Sequence, residues 1–392
     1  MNSVLGTKDC YGCGVCVASC KRNAIQMKLN SLGFYEPVVE ENLCVGCGMC
    51  VNVCSFRAEK VEQDGSSNIR CYAGWSRDDE IRKACSSGGV GFEVARFLMQ
   101  KNYGSIVCGY NSKERRAEHF LAQTIDELKA SIGSKYIQSY SYSGFSQIQK
   151  GQKYFVVGTP CQIDSIRRWI KKQKIEDSVV LMDFFCHGVP SMLMWNKYLS
   201  EVEKKIGIID NIVWRDKETG WHDSWVMKVG DRYVSRYSRG DLFYRMFLKN
   251  RCLAKPCYEM CKFKGLKSAA DIRIGDLWGS KYVENEEGVN GVVGLTMQGV
   301  ALLEEMVSVL HLESSTADIV CESQMKKCAH RPPSYNYVMK SLHTGKSLGE
   351  IDKVARMIEM IEDVPCSMKY YASRLPVKMG EMLKGIVQKS KS

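Results

Sequence analysis

Eight cysteines near the amino terminus repeat one spacing that is typical of a redox site. Each run has two residues between its first three cysteines and three residues before its fourth. Two-residue gaps let three thiolates wrap one 4Fe-4S cubane, while the fourth ligand comes from the other run. The spacing therefore predicts two clusters, one on Cys10, Cys13, Cys16 and Cys54 and the other on Cys44, Cys47, Cys50 and Cys20.

Other features of the two runs bear on this assignment. Glycines stand between the ligands, where the loop must turn tightly and backbone N-H groups can approach cluster sulfurs; they are Gly12, Gly14, Gly46 and Gly48. Zinc is the alternative, because zinc sites of four thiolates also use closely spaced cysteine pairs, but two duplicated four-cysteine runs suit it poorly. The proline that usually follows each fourth cysteine is replaced by Lys21 and Ser55, which changes local stiffness rather than ligation.

Further cysteines follow predicted strands in the remainder of the chain. Cys161 comes after KYFVVG and Cys186 after SVVLMDFF, each at the start of a predicted helix. Free N-H groups there favour a thiolate, and open α/β sheets build their sites at the carboxyl ends of strands. Cys252, Cys257 and Cys261 form another group. Isolated cysteines are more often core thiols, so spacing alone leaves a third cluster open.

The elements that must position these residues divide the chain into three parts. Residues 1–64 form a bacterial-type ferredoxin module, whose spacer predicts a short helix and a hairpin. Strands alternating with helices predict an α/β domain over 70–320, so the fold class is α/β, or α+β overall. A helical, basic extension covers 321–392.

The predicted elements of the α/β domain follow the apolar pattern. Strands are predicted at 105–110, 153–158, 178–185, 210–215, 224–229, 270–275 and 291–297. Helices are predicted at 89–101, 161–173, 191–205 and 298–310, and Thr124-x-x-Glu127 resembles a capping box. The extension predicts a helix at 347–361 and an amphipathic stretch at 375–391, which allows peripheral membrane contact, although docking on protein is favoured.

Composition narrows the class of protein. The 19 cysteines with no apolar leader in MNSVLGTKDC indicate metal ligands and core thiols in a cytoplasmic protein, rather than a disulfide framework. No window is apolar enough for a transmembrane span. The net charge of +11 lies outside the cluster module, since residues 1–64 carry six basic and seven acidic side chains. No zinc-finger or RNP motif accompanies the charge, so nucleic acid is not an expected partner.

Several segments in order resemble one family. Ser86-Ser87-Gly88-Gly89, Gly133-Ser134-Lys135-Tyr136, VGTPCQI, CHGVPS and CYEMCKFKGLKSAADIRIGDLWG are similar to segments of the coenzyme F420 hydrogenase and dehydrogenase beta subunits, over about residues 70–330. The resemblance implies a domain that binds FAD and one 4Fe-4S cluster. Its implied ligands are Cys161, Cys186, Cys257 and Cys261. Three residues separate the last two cysteines where the family usually has two, which leaves Cys252 as a substitute ligand.

The resemblance also draws attention to cofactor and proton-transfer residues. Glycines and N-H groups of Ser86, Ser87, Gly88 and Gly89 suit a pyrophosphate at the start of a helix. Lys135 is a candidate cation for a phosphate or the edge of the flavin. The turn after the strand at 270–275 contains Asp276 and Trp278, and the Trp278 ring could stack on an aromatic cofactor. His187 and His222 are candidate proton donors. Tight helix starts, solvated lysines and buried tryptophans are the ordinary alternatives.

The expected activity is that of an iron-sulfur flavoprotein oxidoreductase. A flavin exchanges two electrons while each cluster carries one, so the pair joins a deazaflavin or other organic substrate to a one-electron carrier. The family resemblance suggests coenzyme F420 as a substrate and a ferredoxin, redox protein or enzyme subunit as partner. Two alternatives stay open: an adaptor without flavin that docks on another enzyme, and a reductase in surface-polysaccharide biosynthesis, because family members occur in such gene clusters.

Overall fold

A computed structural model describes residues 2–63, 69–322, 324 and 326–362. Its strands are β1 (Ile25–Leu29), β2 (Tyr35–Val39), β3 (Arg70–Ser76), β4 (Gly104–Asn111), β5 (Arg116–Ala122), β6 (Ser139–Tyr140), β7 (Tyr154–Val157), β8 (Val179–Phe184), β9 (Val213–Arg215), β10 (Trp225–Val229), β11 (Tyr233–Arg236), β12 (Ile272–Asp276), β13 (Asn290–Gly294) and β14 (Leu310–Ser315). Its α-helices are α1 (Val15–Ala18), α2 (Met49–Asn52), α3 (Asp79–Ala84), α4 (Val90–Gln100), α5 (Ile125–Lys129), α6 (Tyr142–Phe145), α7 (Pro160–Gln173), α8 (Met192–Ile206), α9 (Leu242–Leu248), α10 (Lys255–Glu259), α11 (Met297–Glu305), α12 (Ala317–Val320), α13 (Tyr335–Ser341) and α14 (Leu348–Glu362).

A nine-stranded mixed sheet organises most of the chain, in the order β14-β3-β13-β12-β8-β7-β4-β5-β6. Its centre, β12-β8-β7-β4, is parallel, and antiparallel pairs flank it. The central strands are nearly continuous apolar runs because helices cover both faces, and Val179, Val180 and Leu181 of β8 are all buried. The α/β fold class predicted from the sequence is confirmed.

Local signals fix the helices that follow the central strands. Thr159 and Gln162 form a capping box at the start of α7, and Pro160 takes its first position, where its missing N-H costs nothing. The side chain of Ser191 accepts a hydrogen bond from the Leu193 amide and caps α8. These caps place Cys161 and the loop of Cys186 at the carboxyl ends of β7 and β8.

The predicted strands all occur, with ends shifted by a few residues, and the capping box of Thr124 and Glu127 begins α5. The helix predicted over 298–310 is wrong at its end, because α11 stops at Glu305 and β14 begins at Leu310. Strands β3, β5, β6, β11 and β14 were not predicted. They lie outside the parallel centre, and polar side chains such as Glu118 of β5 and Glu313 of β14 weaken the apolar pattern of some of them.

The ferredoxin module packs its hairpin, β1 and β2, against its two short helices and docks on the α/β domain. The Ser191 hydroxyl donates to the Leu32 carbonyl over 2.6 Å, and the Ser141 hydroxyl donates to the Cys13 carbonyl over 2.7 Å. The docked surface passes close to the first cysteine run. A Cβ atom at Gly12 would lie 2.2 Å from the side-chain nitrogen of Gln138, whereas one at the corresponding Gly46 of the second run would meet nothing within 4 Å.

A second layer lies beside the main sheet. Strands β9, β10 and β11 form a separate antiparallel sheet that shares a large apolar cluster with α8, α9 and α14. Helix α14 covers the helix predicted over 347–361, while the stretch 375–391 lies outside the described residues. None of the helices in the described ranges combines the length and apolarity that crossing a membrane would need.

Candidate metal centres and cofactor cavity

The two cysteine runs fold into matching loops. Gly14 (φ 75°) precedes α1 and Gly48 (φ 76°) precedes α2, so both helices begin from a left-handed backbone that favours glycine. The third cysteine of each run, Cys16 or Cys50, is buried within the short helix. The duplicated spacing thus corresponds to a duplicated backbone geometry.

The first predicted ligand set draws on both runs. Burial raises the pKa of the Cys10 thiol to about 12, and the nearby thiols of Cys13 and Cys54 raise it further against the lowering effect of the Gly12 amide. Burial also raises the pKa of Cys16, whose neighbouring thiols include Cys13, Cys10 and Cys54. The fourth cysteine of the second run therefore lies among the thiols of the first, as a two-cluster domain requires.

In the second predicted set, the fourth cysteine of the first run lies among the thiols of the second run. Burial raises the pKa of Cys50, and the thiols of Cys20 and Cys44 contribute in the same direction. Cys47 is exposed, so this set reaches the surface of the module. In the described part of the chain no three Cys, His, Asp or Glu side chains converge tightly enough to enclose a single metal ion. A cubane binds each thiolate through a different iron, so its ligands surround a volume rather than one point.

The cysteines of the α/β domain form another thiol group. Burial raises the pKa of Cys161 well above its usual range, and the thiols of Cys13, Cys186 and Cys257 add to the effect against the hydrogen bond of Thr159. Burial raises the pKa of Cys257 to about 12, with Cys186 and Cys261 among its neighbours. Cys161, Cys186, Cys257 and Cys261 all line one cavity. Their common chemistry and burial fit a cluster.

Backbone pairing between distant segments brings these cysteines together. Pro190, after β8, forms an isolated antiparallel bridge with Leu253, ahead of α10. The Ser191 amide donates to the Cys252 carbonyl over 2.8 Å, and the Lys264 ammonium donates to the Cys186 carbonyl over 2.8 Å. Cys252 itself is fully buried in the apolar cluster of α8 and α9 and is absent from the cavity wall. The arrangement favours Cys257 and Cys261 over Cys252 as ligands.

Tyr11 of the first cysteine run extends to the same cavity, which the sequence analysis missed. Its ring makes edge-to-face contacts with Phe56 and Phe263, at centroid distances of 5.2 and 5.8 Å. Burial raises the pKa of its hydroxyl, and the thiols of Cys161 and Cys261 raise it further. Tyr11 therefore connects the ferredoxin module with the third thiol group. Its position between two predicted ligands was the only sequence signal for this role.

The cavity has a volume of about 490 Å³ and opens beyond the carboxyl ends of β7 and β8. Aromatic side chains such as Tyr136, Phe185, Trp225, Phe247 and Trp278 contribute to its wall. Apolar walls with a few convergent polar groups are typical of cofactor sites. Most residues of the predicted flavin set line this cavity, namely Ser86, Ser87, Gly89, Lys135, Asp276 and Trp278.

The glycine turn before α4 is the polar end of that set. Gly89 (φ 85°) occupies the position before the helix, and the Val90 amide donates to the Asn290 side-chain oxygen over 3.2 Å. Gly88 lies behind the wall, where a Cβ atom would come within 2.5 Å of the Gly74 carbonyl. The Ser86 hydroxyl accepts from the Ser134 amide over 2.8 Å. The turn is thus built by close backbone packing, as its glycines suggest.

Lys135 is held by backbone carbonyls. Its ammonium donates to the carbonyls of Ser131, Ile132 and Gly133 over 2.8, 3.0 and 3.0 Å. Burial lowers its pKa to about 8, although the Cys108 and Cys85 thiols act in the opposite direction. All three N-H donors of the Lys135 ammonium are therefore engaged by backbone carbonyls, and its predicted contact with a phosphate stays a prediction.

Asp276 and Trp278 belong to a polar and aromatic cluster beside the cavity. The Arg215 guanidinium donates from Nη1 to Asp276 over 2.9 Å and to the Tyr136 hydroxyl over 3.1 Å. Trp278 stacks on Trp221 with ring centroids 4.2 Å apart. One face of the Trp278 ring is thus covered by protein. Arg215, which sequence reasoning did not single out, fixes the position of Asp276.

The two predicted proton donors occupy different places. His187 lines the cavity, its ring contacts Phe247, and burial lowers its pKa. Its Nε2 atom is buried and has no hydrogen-bond partner in the described structure. His222 is not part of the cavity wall; its Nδ1 lies 3.2 Å from a Glu286 oxygen and its ring packs on Trp278. Of these two predicted donors, the structure brings His187 to the cavity wall and leaves His222 outside it.

Comparisons with known proteins identify the family. Two models of one family match, "Coenzyme F420 hydrogenase/dehydrogenase, beta subunit N-term" over residues 71–143 and its C-terminal counterpart over residues 151–320, and a 4Fe-4S dicluster domain matches residues 9–58. No curated protein matches the chain. A solved structure, titled as a xenon derivatization of the F420-reducing NiFe hydrogenase complex from Methanosarcina barkeri, covers 77% of this chain and 94% of its own at 16% identity, with a TM-score of 0.45. The chain belongs to the coenzyme F420 hydrogenase/dehydrogenase beta-subunit family and is an iron-sulfur electron-transfer protein with a two-cluster 4Fe-4S domain.

Proposed function

We propose that the chain is an iron-sulfur flavoprotein oxidoreductase that exchanges two electrons with an organic donor or acceptor and single electrons with protein carriers. One observation carries the proposal. Ser86, Ser87 and Gly89 of the turn before α4 line the same cavity as the four thiols of Cys161, Cys186, Cys257 and Cys261. A flavin bound there would supply the conversion between two-electron and one-electron chemistry.

The residues of the cavity have distinct roles in this proposal. The turn before α4 would hold the diphosphate of FAD, because backbone N-H groups and the helix dipole favour an anion there. Aromatic and apolar side chains would exclude water from the ring system. His187 would hold a proton at Nε2 for the organic substrate, since that atom is buried without a partner in the described residues. Cys161, Cys186, Cys257 and Cys261 would hold a third 4Fe-4S cluster.

The ferredoxin module would carry electrons from the cavity to the surface. Tyr11 and Gly12 line the cavity, whereas Cys47 is exposed at the far set of thiols. A ferredoxin or a partner enzyme subunit would dock near Cys47. The family membership supports coenzyme F420 as a candidate for the two-electron substrate and the cytoplasm as the location.

Flavin content tests the proposal directly. The full chain is purified anaerobically, reconstituted with iron, sulfide and FAD, and freed of unbound flavin before the bound flavin is released and measured. We expect about one flavin and about twelve irons per chain. Trp278→Leu should retain less flavin with unchanged iron, while Trp169→Phe, on α7 and outside the cavity wall, serves as the control. Protein with clusters but no flavin would overturn the proposal and favour an adaptor.

The substrate class requires a separate screen. Reduced coenzyme F420, NADH, NADPH and reduced ferredoxin are each mixed anaerobically with the loaded protein, and bleaching of the cluster absorbance is followed. A rapid reaction with one donor identifies the class of substrate. His187→Gln is expected to slow the reaction with a hydride donor more than reduction by ferredoxin, because only the former involves a proton at the cavity.

A further inference from the structure

Helix α7 is shared by two of the predicted cluster sites. Cys161 is its second residue, and Ser165 lies four residues later on the same face of the helix. Ser165 is fully buried, and its hydroxyl oxygen lies 3.4 Å from the Cys13 sulfur of the first ligand set. Ser165 therefore stands between the first run of the ferredoxin module and the thiol at the start of the helix.

The backbone of the second run holds this hydroxyl in place. The Ser55 amide, directly after Cys54, donates to the Ser165 oxygen over 3.1 Å. The usual two-cluster sequence has proline at this position, and proline has no N-H to donate. The unusual Ser55 thus supplies a hydrogen bond that orients Ser165, beyond the change in stiffness expected from the sequence.

The direction of the bond to sulfur depends on the state of Cys13. A free thiol donates its proton to the Ser165 oxygen, as in the present arrangement. An iron-bound thiolate has no proton, so only the serine hydroxyl can then be the donor. The Ser165 oxygen already accepts a hydrogen bond from the Ser55 amide, so the Ser165 hydroxyl proton is left to donate to the Cys13 sulfur.

We propose that Ser165 donates a hydrogen bond to the cluster-bound Cys13 thiolate and raises the reduction potential of the cluster on Cys10, Cys13, Cys16 and Cys54. Reduction adds negative charge to the cluster, so a donor to its sulfur stabilises the reduced state more than the oxidised state. Ser165 and Ser55 are fully buried, and a low local dielectric strengthens the effect. The proposal requires the first cluster and depends on neither flavin nor a third cluster.

The tuned cluster would be the one nearest to the cavity. The Cys13 thiol is close enough to Cys161, on the cavity wall, to raise its pKa. In the other set, Cys20 and Cys44 raise the pKa of Cys50. A raised reduction potential makes the inner cluster easier to reduce than it would be without the Ser165 hydroxyl. Ser165 thereby acts as a positioning residue for electron transfer between the cavity and the module.

The test compares three variants of the loaded full chain. Ser165→Ala removes the hydroxyl, Ser165→Thr keeps it, and Ser141→Ala removes a different buried hydroxyl, which donates to the carbonyl of Cys13 rather than to its sulfur. Iron and sulfide contents are measured first, and the potentials of both module clusters are then obtained from an anaerobic redox titration followed by electron paramagnetic resonance.

We expect Ser165→Ala alone to shift one of the two potentials downward. At a fixed applied potential, the ratio of reduced to oxidised cluster should fall up to tenfold. This corresponds to a reduction potential lower by up to about 59 mV for a one-electron couple. An unchanged potential at full iron content would overturn the proposal. So would an equal shift in Ser141→Ala, which would assign the effect to weaker docking, or a loss of iron confined to Ser165→Ala, which would make the hydroxyl structural. Absence of flavin would leave the titration unaffected.

Discussion

The hydroxyl of Tyr11 donates a hydrogen bond of 2.6 Å to the carbonyl of Met260, the residue before Cys261. A residue of the first cysteine run is thus bonded to the loop that carries a predicted ligand of the third thiol group, 249 residues later in the chain. The contact joins the ferredoxin module and the α/β domain at the point where electrons would pass between them.

Removal of this contact should loosen the docking of the module. Tyr11→Phe loses one hydrogen bond, worth about 1 kcal/mol, and Tyr11→Leu also loses the two edge-to-face contacts, each worth roughly 0.5–1.5 kcal/mol. We expect the melting temperature of the anaerobic loaded protein to fall slightly in the first variant and by several degrees in the second. Equal melting temperatures for Tyr11→Leu and the parent protein would contradict this structural role.

Iron content should separate the ligand cysteines from Cys252. Cys161→Ala is expected to lower the iron from about twelve to about eight per chain, because one cubane loses a ligand. Cys252→Ala is the matched control, since this thiol is fully buried in the apolar cluster and lies outside the cavity wall. It should retain its iron and lose about 1 kcal/mol of stability. The reverse result would make Cys252 a ligand.

A fully buried ion pair should prove necessary for the third thiol group. Arg273 donates to both oxygens of Asp183, over 2.7 and 2.6 Å, and also to the carbonyls of Phe263 and Gly265 in the loop after Cys261. Asp183→Ala leaves a buried charge without its partner, which typically costs about 3–5 kcal/mol. We expect a strongly lowered unfolding midpoint and loss of iron.

Asp126→Asn provides the comparison for this variant. Asp126 is exposed on the surface and pairs with Lys129, so screening by water leaves little of that interaction. No measurable change in iron content or unfolding midpoint is expected. Similar losses in both variants would show that the buried pair has no special role.

His119 should make stability depend on pH. It is buried with its Nε2 3.0 Å from the Val157 carbonyl, and burial lowers its pKa from 6.5 to about 4 against the opposing effect of that carbonyl. The unfolded chain therefore binds a proton that the folded chain excludes between these values, so this contribution to stability is complete above pH 6.5 and is lost toward pH 4. The expected loss is about 1.4 kcal/mol at pH 5.5.

Melting temperatures at pH 7.5 and 5.5 check this expectation. The parent protein should show the larger decrease on acidification, and His119→Gln should show a smaller one because its amide does not titrate. His343→Gln, which alters an exposed histidine, controls for the loss of any histidine. Identical decreases in the parent and His119→Gln would exclude His119 as the source.

The sequence predicted best those features that depend on local spacing. Repeated ligand gaps with glycines foretold the paired loops, and continuous apolar runs foretold the parallel centre of the sheet. Strands at the periphery were missed because polar residues such as Glu118 and Glu313 interrupt the pattern. Contacts between distant segments had no local signal: nothing near Ser165 indicated Cys13, and nothing near Arg215 indicated Asp276. The individual site residues stay predictions that the variants above can test.

Equivalent glycines of the two cysteine runs have different surroundings, which decides where the surface of the module can change. Gly12 is confined by the side-chain amide of Gln138, whereas the corresponding Gly46 has open space around it, although both glycines have a positive φ. The two runs share one spacing, yet the α/β domain crowds only the first at this glycine and meets the second half further along, at Ser55. A change of surface beside Gly46 would leave the contact between the module and the α/β domain intact, whereas a side chain at Gly12 would disturb it.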